Sequence, residues 1–287
     1  MSFSDLNLKL IAPELWMTLL SCVVLMIDVF CPKLSKPKLA YISVAGMALI
    51  TLLVISYGID GVAGTSFSGM FILDPLAIFF KVFILLSTIL MILASIDAME
   101  KIPYFRGEYY FLLLFSALGM MFMVSANDFL SLFITLEFST FGFYILVAYL
   151  RDNLKSNEAA IKFFILGALS AALIAYGISL VYGEAGTLLF DKIAANPPES
   201  SIGLTIGLLF IFIGIGYKLG AVPFHVWVPD VYQGAPTTVT AYLSVVPKAA
   251  TFAIFLRVVF GTFLELKTDW QWMIVSIAVL SMTYGNI

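Results

Sequence analysis

Long apolar runs separated by short polar connections follow one another along the whole chain. A helix of about 20 residues crosses the hydrocarbon core of a bilayer, and most of these runs reach that length. Nine spans are expected, at residues 11–31, 39–58, 72–96, 109–125, 128–150, 159–182, 201–222, 237–262 and 270–287. The pattern therefore predicts an all-α polytopic membrane protein.

Composition supports the same class. The chain of 287 residues is 62% hydrophobic and only 11% charged, whereas soluble domains are nearer to half apolar and a quarter charged. The only substantial hydrophilic connection is 183–200, and its Asn-Pro-Pro run predicts an irregular loop. No connection is long enough to fold as a separate domain.

Basic residues are distributed unequally between the two sets of connections. One side carries Lys33, Lys36, Lys38, Lys101, Arg106, Arg151 and Lys155, and the other carries Lys9, Lys192 and Lys267. Lysine and arginine favour the cytoplasmic side in short loops. We therefore expect the N-terminus to face outside.

The seventh span is interrupted by Gly220 and Pro223. Glycine has no Cβ penalty in unusual backbone conformations, and proline cannot donate a hydrogen bond to the preceding turn. Broken helices at membrane depth occur only where they are buried in protein or line a wet cavity. The sequence therefore predicts a helix break inside the protein.

Three charged residues are expected near the middle of the membrane. Glu137 lies in the fifth span, Lys218 lies beside the break, and Lys248 follows Pro247 in the eighth span. Each such charge costs roughly 2.5–3.5 kcal/mol at a helix centre. We expect Glu137 to pair with Lys218, and Lys248 to exchange protons, because lysine can lose its charge when buried. The alternative is that these groups form structural ion pairs.

Four further residues allow two interpretations each. His225, the only histidine, has the chemistry for a proton relay but can equally be a packing residue. Lys162 in the first turn of the sixth span either takes part in transport or extends its ammonium group to the interface. Pairing with a neighbouring subunit explains Lys81 and Asp28 as well as transport does.

Motifs for nucleotide or cofactor binding are missing from the sequence. It contains no G-x-x-x-x-G-K-[ST], no G-x-G-x-x-G between a strand and a helix, and no Cys/His cluster. Cys22 and Cys31 are interpreted as small apolar residues. The chain itself is therefore predicted to bind no nucleotide, flavin, iron–sulfur cluster, metal ion or nucleic acid.

Several segments resemble a known family. They are FHVWVPDVYQGAP at 224–236, PKAA at 247–250, the stretch 136–187 and PEL at 13–15. These segments, in this order and spacing, resemble the subunit N family of proton-translocating NADH:quinone oxidoreductase, respiratory complex I. The resemblance covers essentially all 287 residues.

The resemblance implies an antiporter-like helical bundle of two inverted five-helix repeats, each with one broken helix. It assigns three N-terminal helices to 1–108, a complete first repeat to 109–263, and the start of a largely missing second repeat to 264–287. The chain is therefore expected to be incomplete. The resemblance places the proton path on Glu137, Lys218 and Lys248, with connecting positions at His225 and Lys162.

The resemblance also implies a function. The chain would be a proton-translocating subunit of a translocase, without a redox centre of its own, in a bacterial inner membrane. NADH, FMN, iron–sulfur clusters and quinone would bind other subunits, and the partners would be subunit M, small membrane subunits and lipid. The alternatives are a subunit of a cation/proton antiporter or of a membrane-bound hydrogenase or dehydrogenase, or a scaffold whose ion pairs set helix register.

Overall fold

Helices account for most of the protein. The structure, a computed structural model, describes residues 7–31, 35–102 and 107–285. Its helices are α1 (Ala12–Phe30), α2 (Lys36–Ile59), α3 (Pro75–Glu100), α4 (Glu108–Val124), α5 (Phe129–Val147), α6 (Leu154–Ala185), α7 (Phe190–Ala195), α8 (Ile202–Leu219), α9 (Trp227–Gly234), α10 (Thr237–Leu256) and α11 (Lys267–Tyr284).

Each of the nine expected spans overlaps a helix, and residues 286–287 of the ninth span lie outside the described part of the chain. Seven helical segments in the described part of the chain are long and apolar enough to cross a membrane, and α4 is a shorter apolar helix. The predicted multi-pass, all-α membrane protein is thus confirmed. A small antiparallel hairpin, β1 (Gly64–Ser66) with β2 (Phe71–Leu73), connects α2 to α3. The prediction of an irregular loop over 183–200 is wrong in part, since α7 forms within it.

Polar residues fix where several helices begin. The carboxylate of Asp128 accepts hydrogen bonds of 2.9 Å from the backbone N–H groups of Leu130 and Ser131 at the start of α5. Asp74 caps α3 in the same way through Ala77, at 2.8 Å. These caps bind backbone donors that have no partner within the helix. By fixing where α3 and α5 begin, the caps fix which helix face carries Lys81 on α3 and Glu137 on α5.

The predicted break in the seventh span is real. Helix α8 ends at Leu219, and Gly220 adopts a left-handed conformation with φ of 72°. The chain then makes irregular turns before α9 begins at Trp227. Glycine at this position avoids the Cβ clash that other residues meet at positive φ. The break therefore opens the backbone directly after Lys218.

A second irregularity ends α10. Pro247 lies inside this helix, and a π-helical turn, Arg257–Thr262, continues it. Single π-helical turns within α-helices occur frequently at functional sites. Helix α10 therefore carries Lys248 between a proline and a widened turn.

Helix α4 lies at the centre of the bundle. Most of its side chains are buried, and it contacts α1, α3, α5 and α10. Helices α6 and α8 pack closely, and a Cβ atom on Gly177 would lie 2.6 Å from the carbonyl oxygen of Gly207. Small residues allow such close approach between membrane helices. Helix α10 contacts both α5 and α8, so the three helices meet near the break.

Candidate functional site

The predicted Glu137–Lys218 pair is present. The Lys218 Nζ atom donates to Glu137 Oε1 at 3.1 Å, and the side chains are 8% and 19% exposed. Glu137 is close to the middle of α5, and Lys218 is in the last turn of α8. A carboxylate and an ammonium group at this depth stabilise each other against the cost of leaving water.

A small cavity with both apolar and polar side chains in its wall adjoins this pair. Lys218 also donates to the hydroxyl oxygen of Thr140 at 3.0 Å. The two residues, with Ser139, Pro247 and Thr251, help to line an internal cavity of about 30 Å³. A cavity needs roughly 10–15 Å³ and several polar partners to hold a water molecule. This one is large enough to place water between Lys218 and the proline of α10.

Lys248 reaches the break from the opposite side. A Cβ atom on Gly220 would lie 3.7 Å from Lys248 Nζ, so the ammonium group lies close to the opened backbone. The same Nζ atom is 5.5 Å from the ring centroid of Tyr232 on α9, within cation–π range. No carboxylate among the described side chains forms an ion pair with Lys248. Lys218 and Lys248 thus lie on two sides of one break. Lys218 is paired with Glu137, and Lys248 lies against the ring of Tyr232.

His225 lies within the break and faces α11. Its ring is 5.0 Å from the ring of Tyr284, and its Nδ1 atom is buried without a hydrogen-bond partner among the described residues. The backbone N–H of Val222 donates to Ser281 Oγ of α11 at 3.0 Å. No described hydrogen bond joins His225 directly to Lys218 or Lys248. A relay through His225 would therefore need intervening water.

Lys162 is separate from the buried groups. It forms ion pairs of 2.7 Å with Glu158 and with Asp230, and its side chain is 42% exposed. The three residues line a surface cavity of about 140 Å³ together with Lys155 and Gln233. The structure thus places Lys162 in a surface ion-pair cluster at the α6–α9 contact.

Both charges left open by the sequence have partners within this chain. Lys81 is fully buried and lies 2.6 Å from Glu14, which is also fully buried. Asp28 pairs with Lys36 and accepts a hydrogen bond of 3.1 Å from the N–H of Gly107. Neither residue therefore needs a neighbouring subunit to supply its partner. In the sequence, Glu14 stands out only as part of the PEL segment at 13–15.

Arg257 and Asp74 form a further ion pair that sequence reasoning missed. Two guanidinium nitrogens donate to the two carboxylate oxygens at 2.9 Å each, and Arg257 also donates to the carbonyl oxygen of Val124 at 3.1 Å. Bidentate pairs of this kind are strong and geometrically specific. The pair holds the π-helical turn against the start of α3.

The geometry defines a class of protein. A discontinuous helix, with buried ionisable side chains gathered at the discontinuity, is the arrangement that membrane transporters use for their ion sites. Residues 126–287 match the family described as "NADH:quinone oxidoreductase/Mrp antiporter, TM". This is more than half of the chain, and the chain belongs to that family.

Bacterial relatives match along the whole chain. It is 42% identical over 290 residues to NADH-quinone oxidoreductase subunit N of Rhodospirillum rubrum, covering 100% of this chain and 59% of that protein. It is 39% identical over 293 residues to the subunit N of Trichlorobacter lovleyi, covering 99% of this chain and 59% of that protein. The chain thus spans about 59% of the length of the curated relatives it matches.

Two solved assemblies contain chains of the same fold. One is respiratory complex I from Thermus thermophilus with bound aureothin, with a TM-score of 0.74 and 28% identity over 85% of this chain and 52% of that chain. The other is the membrane-bound sulfane sulfur reductase, an archaeal respiratory membrane complex, with a TM-score of 0.72 and 25% identity over 85% of this chain and 51% of that chain.

Proposed function

We propose that this chain contributes to proton translocation as a subunit N of NADH:quinone oxidoreductase. The observation that carries the proposal is the Glu137–Lys218 pair beside a helix break and a cavity large enough for water. The full-length identity to bacterial subunits of that name supports the choice of complex. Energy would come from quinone reduction on other subunits.

The proposed path runs across the break. Glu137 stabilises the charged form of Lys218, and water in the cavity carries a proton from this pair towards α10. Lys248 receives it, because an ammonium group that has no carboxylate partner can return to the neutral amine. His225 joins the path through water at its buried Nδ1 atom. The surface cluster of Lys162, Glu158 and Asp230 collects protons where α6 meets α9.

The remaining expectations belong to the same proposal. NADH, FMN, iron–sulfur clusters and quinone bind other subunits, and subunit M and small membrane subunits are the neighbours. The N-terminus faces outside in a bacterial inner membrane. Residues 1–108 form an N-terminal three-helix unit, 109–263 form the first repeat, and 264–287 begin the second. Basic residues at one set of connections support this orientation.

Replacing Glu137 tests the proposal in the full-length subunit within its membrane complex. Glu137→Gln keeps the shape and hydrogen-bonding capacity but removes the negative charge. We expect normal assembly and NADH oxidation in uncoupled membranes, with fewer protons moved per NADH. Glu108→Gln, an exposed glutamate in the first turn of α4, is the matched control. Parental pumping by the Glu137→Gln complex would refute the proposal.

Two variants of Lys248 test whether this residue titrates. Arginine keeps a fixed positive charge because it does not lose its proton in proteins, whereas methionine removes the charge. We expect both Lys248→Arg and Lys248→Met to lower the number of protons moved per NADH. Full pumping by Lys248→Arg would show that only a positive charge is needed, and would leave Lys248 outside the proton path.

A cation/proton antiporter is the second candidate. The matching family includes Mrp antiporters, and the fold also occurs in an archaeal sulfane sulfur reductase complex. Cation-driven proton movement in membranes supplied with neither NADH nor quinone would favour this function. Proton movement that requires NADH oxidation would favour subunit N.

A further inference from the structure

Polar residues recur along one face of α3. Asp74 caps this helix, and Lys81, Thr88 and Ser95 follow at seven-residue intervals. Seven residues are close to two helical turns, so the four side chains share one face. At 1.5 Å per residue they extend over about 31 Å, close to the thickness of the hydrocarbon core. We call these four residues the α3 polar column.

Each residue of the column contacts a different partner. Lys81, Thr88 and Ser95 are completely buried. Asp74 pairs with Arg257, and Lys81 pairs with Glu14. The hydroxyl of Thr88 lies 2.9 Å from the hydroxyl of Tyr242. Ser95 contacts Tyr109, whose hydroxyl lies 3.1 Å from the hydroxyl of Thr238. The column thus makes polar contacts from α3 to α1, α4, α10 and the π-helical turn. It is separate from the Glu137–Lys218 pair.

The Glu14–Lys81 pair is the charged centre of this column. Its two side chains are 0% exposed and 2.6 Å apart, and the ring of Phe71 lies 4.8 Å from Lys81 Nζ. Asp74 and Arg257 are within electrostatic range of Lys81. Taking an ion pair completely out of water costs more than a well-packed apolar pair of the same size in many proteins. Stability alone is therefore a weak reason for a carboxyl and an amine at this place.

We propose that Glu14 and Lys81 form a second proton-exchange site, which rests on the proposed function in proton translocation. One proton moves between the two groups. The N–H bond of the Lys81 ammonium breaks as an O–H bond forms on Glu14 Oε1, leaving a neutral amine and a neutral acid. The electron pair of the broken bond stays on nitrogen, so no oxidant or reductant is needed.

The distances suit this exchange. The separation of 2.6 Å between Lys81 Nζ and Glu14 Oε1 is within the reach that proton transfer needs. Asp74, whose side chain is 27% exposed, is the column residue that meets the surroundings of the protein. Thr88 and Tyr242 continue the polar contacts toward the other end of α3. Helix α10 carries Tyr242 and Lys248, and the π-helical turn that continues it carries Arg257, so this one segment contacts both the break and the column.

Neutralising the pair separates this role from a structural one. In the full-length subunit within its complex, Glu14→Gln combined with Lys81→Met removes both charges together. We expect the double variant to assemble and to oxidise NADH, but to move fewer protons per NADH than the parent. If the pair only holds α1 against α3, the neutral variant should pump normally. Normal pumping would overturn the proposal.

A second measurement covers the outcome in which the double variant does not assemble. Glu14→Asp keeps a carboxyl group but shortens the side chain by one methylene, which changes the surroundings of the carboxyl group. During turnover, infrared difference spectra should show a protonated carboxyl band that shifts in this variant. Spectra identical to the parental ones would contradict proton exchange at Glu14 whether or not the double variant assembles.

Two controls complete the experiment. Asp28→Asn combined with Lys36→Met neutralises another ion pair of the N-terminal helices and should leave pumping unchanged. Glu137→Gln in the same preparation reports on the proposed function. Loss of pumping with Glu137→Gln but not with the neutralised Glu14–Lys81 pair refutes only the second site. If neither variant loses pumping, both the second site and the proposed function are refuted.

Discussion

Two carboxylate–lysine pairs differ in their surroundings although they have the same chemistry. The Glu14–Lys81 pair joins two continuous helices, and both side chains are 0% exposed at a separation of 2.6 Å. The Glu137–Lys218 pair adjoins a helix break and a cavity, with side chains 8% to 19% exposed at a separation of 3.1 Å. The two continuous helices bury the Glu14–Lys81 pair completely, whereas the break beside Lys218 leaves a cavity with room for water. Removal of one charge should therefore have different consequences at the two places.

The largest effect is expected from Lys81→Met. It leaves Glu14 fully buried without its cation, and breaking a buried pair in this way costs about 3–5 kcal/mol. Lys218→Met should cost less, because the Glu137 side chain is 19% exposed and the cavity at Lys218 leaves room for water in place of the ammonium group. The thermal stability and amount of assembled complex measure both. Equal losses would contradict the distinction between a dry and a hydrated pair.

Gly220→Ala should have the next largest effect. A left-handed residue with a Cβ atom costs about 1–2 kcal/mol, and this Cβ would lie 2.9 Å from a methyl group of Val228. Gly186→Ala is the matched control, because its φ of 66° is similar but its Cβ would have no neighbour within 4 Å. Thermal unfolding should show losses in both variants. Pumping should fall only for Gly220→Ala, because the added Cβ atom would lie 3.7 Å from Lys248 Nζ.

Thr140→Val tests the contribution of the cavity wall beside the Glu137–Lys218 pair. The change removes the acceptor for Lys218 and keeps the side-chain volume, so we expect a loss of about 0.5–1.5 kcal/mol. Thr135→Val on the same helix is the control, because the Thr135 hydroxyl bonds only to carbonyl oxygens of its own helix among the described residues. Proton pumping should be lower for Thr140→Val than for Thr135→Val. A larger effect at Thr135 would contradict a role for the cavity wall.

The smallest effect is expected from Asp28→Asn. This residue pairs with Lys36, whose side chain is 26% exposed, so solvent screens the interaction. Partly exposed ion pairs contribute about 0–1 kcal/mol. Thermal stability of the assembled complex should therefore change little. A loss as large as that of Lys81→Met would show that burial does not decide the contribution of these pairs.

Much of the fold could be predicted because apolar periodicity and helix-breaking residues are local signals. The helix break was predicted from Gly220 and Pro223, and α8 does end at Leu219. The Glu137–Lys218 pair was predicted because two opposite charges at the same depth need each other. The hairpin between α2 and α3 and the short helix α7 were missed. Both depend on contacts with neighbouring segments rather than on hydropathy.

The Glu14–Lys81 pair shows what single spans do not reveal. Hydropathy gives the depth of Lys81 but not the direction in which its side chain points, since that depends on how α1 packs against α3. The seven-residue spacing from Asp74 to Ser95 was present in the sequence and indicates one polar face. A search for polar residues at this interval within apolar spans would have found it. The position of Lys248 against Tyr232 likewise depends on the path of the chain after the break.

The bond between Val222 and Ser281 has a consequence for the order of synthesis. The two residues are 59 positions apart, and the acceptor lies on α11, the last helix that the structure describes. At about 5–20 residues per second, the ribosome produces Ser281 roughly 3–12 seconds after Val222. During this interval the freed backbone donor in the turn after α8 has no such acceptor. The break is therefore completed only when α11 enters the membrane, and maturation of the site follows the insertion of a later segment.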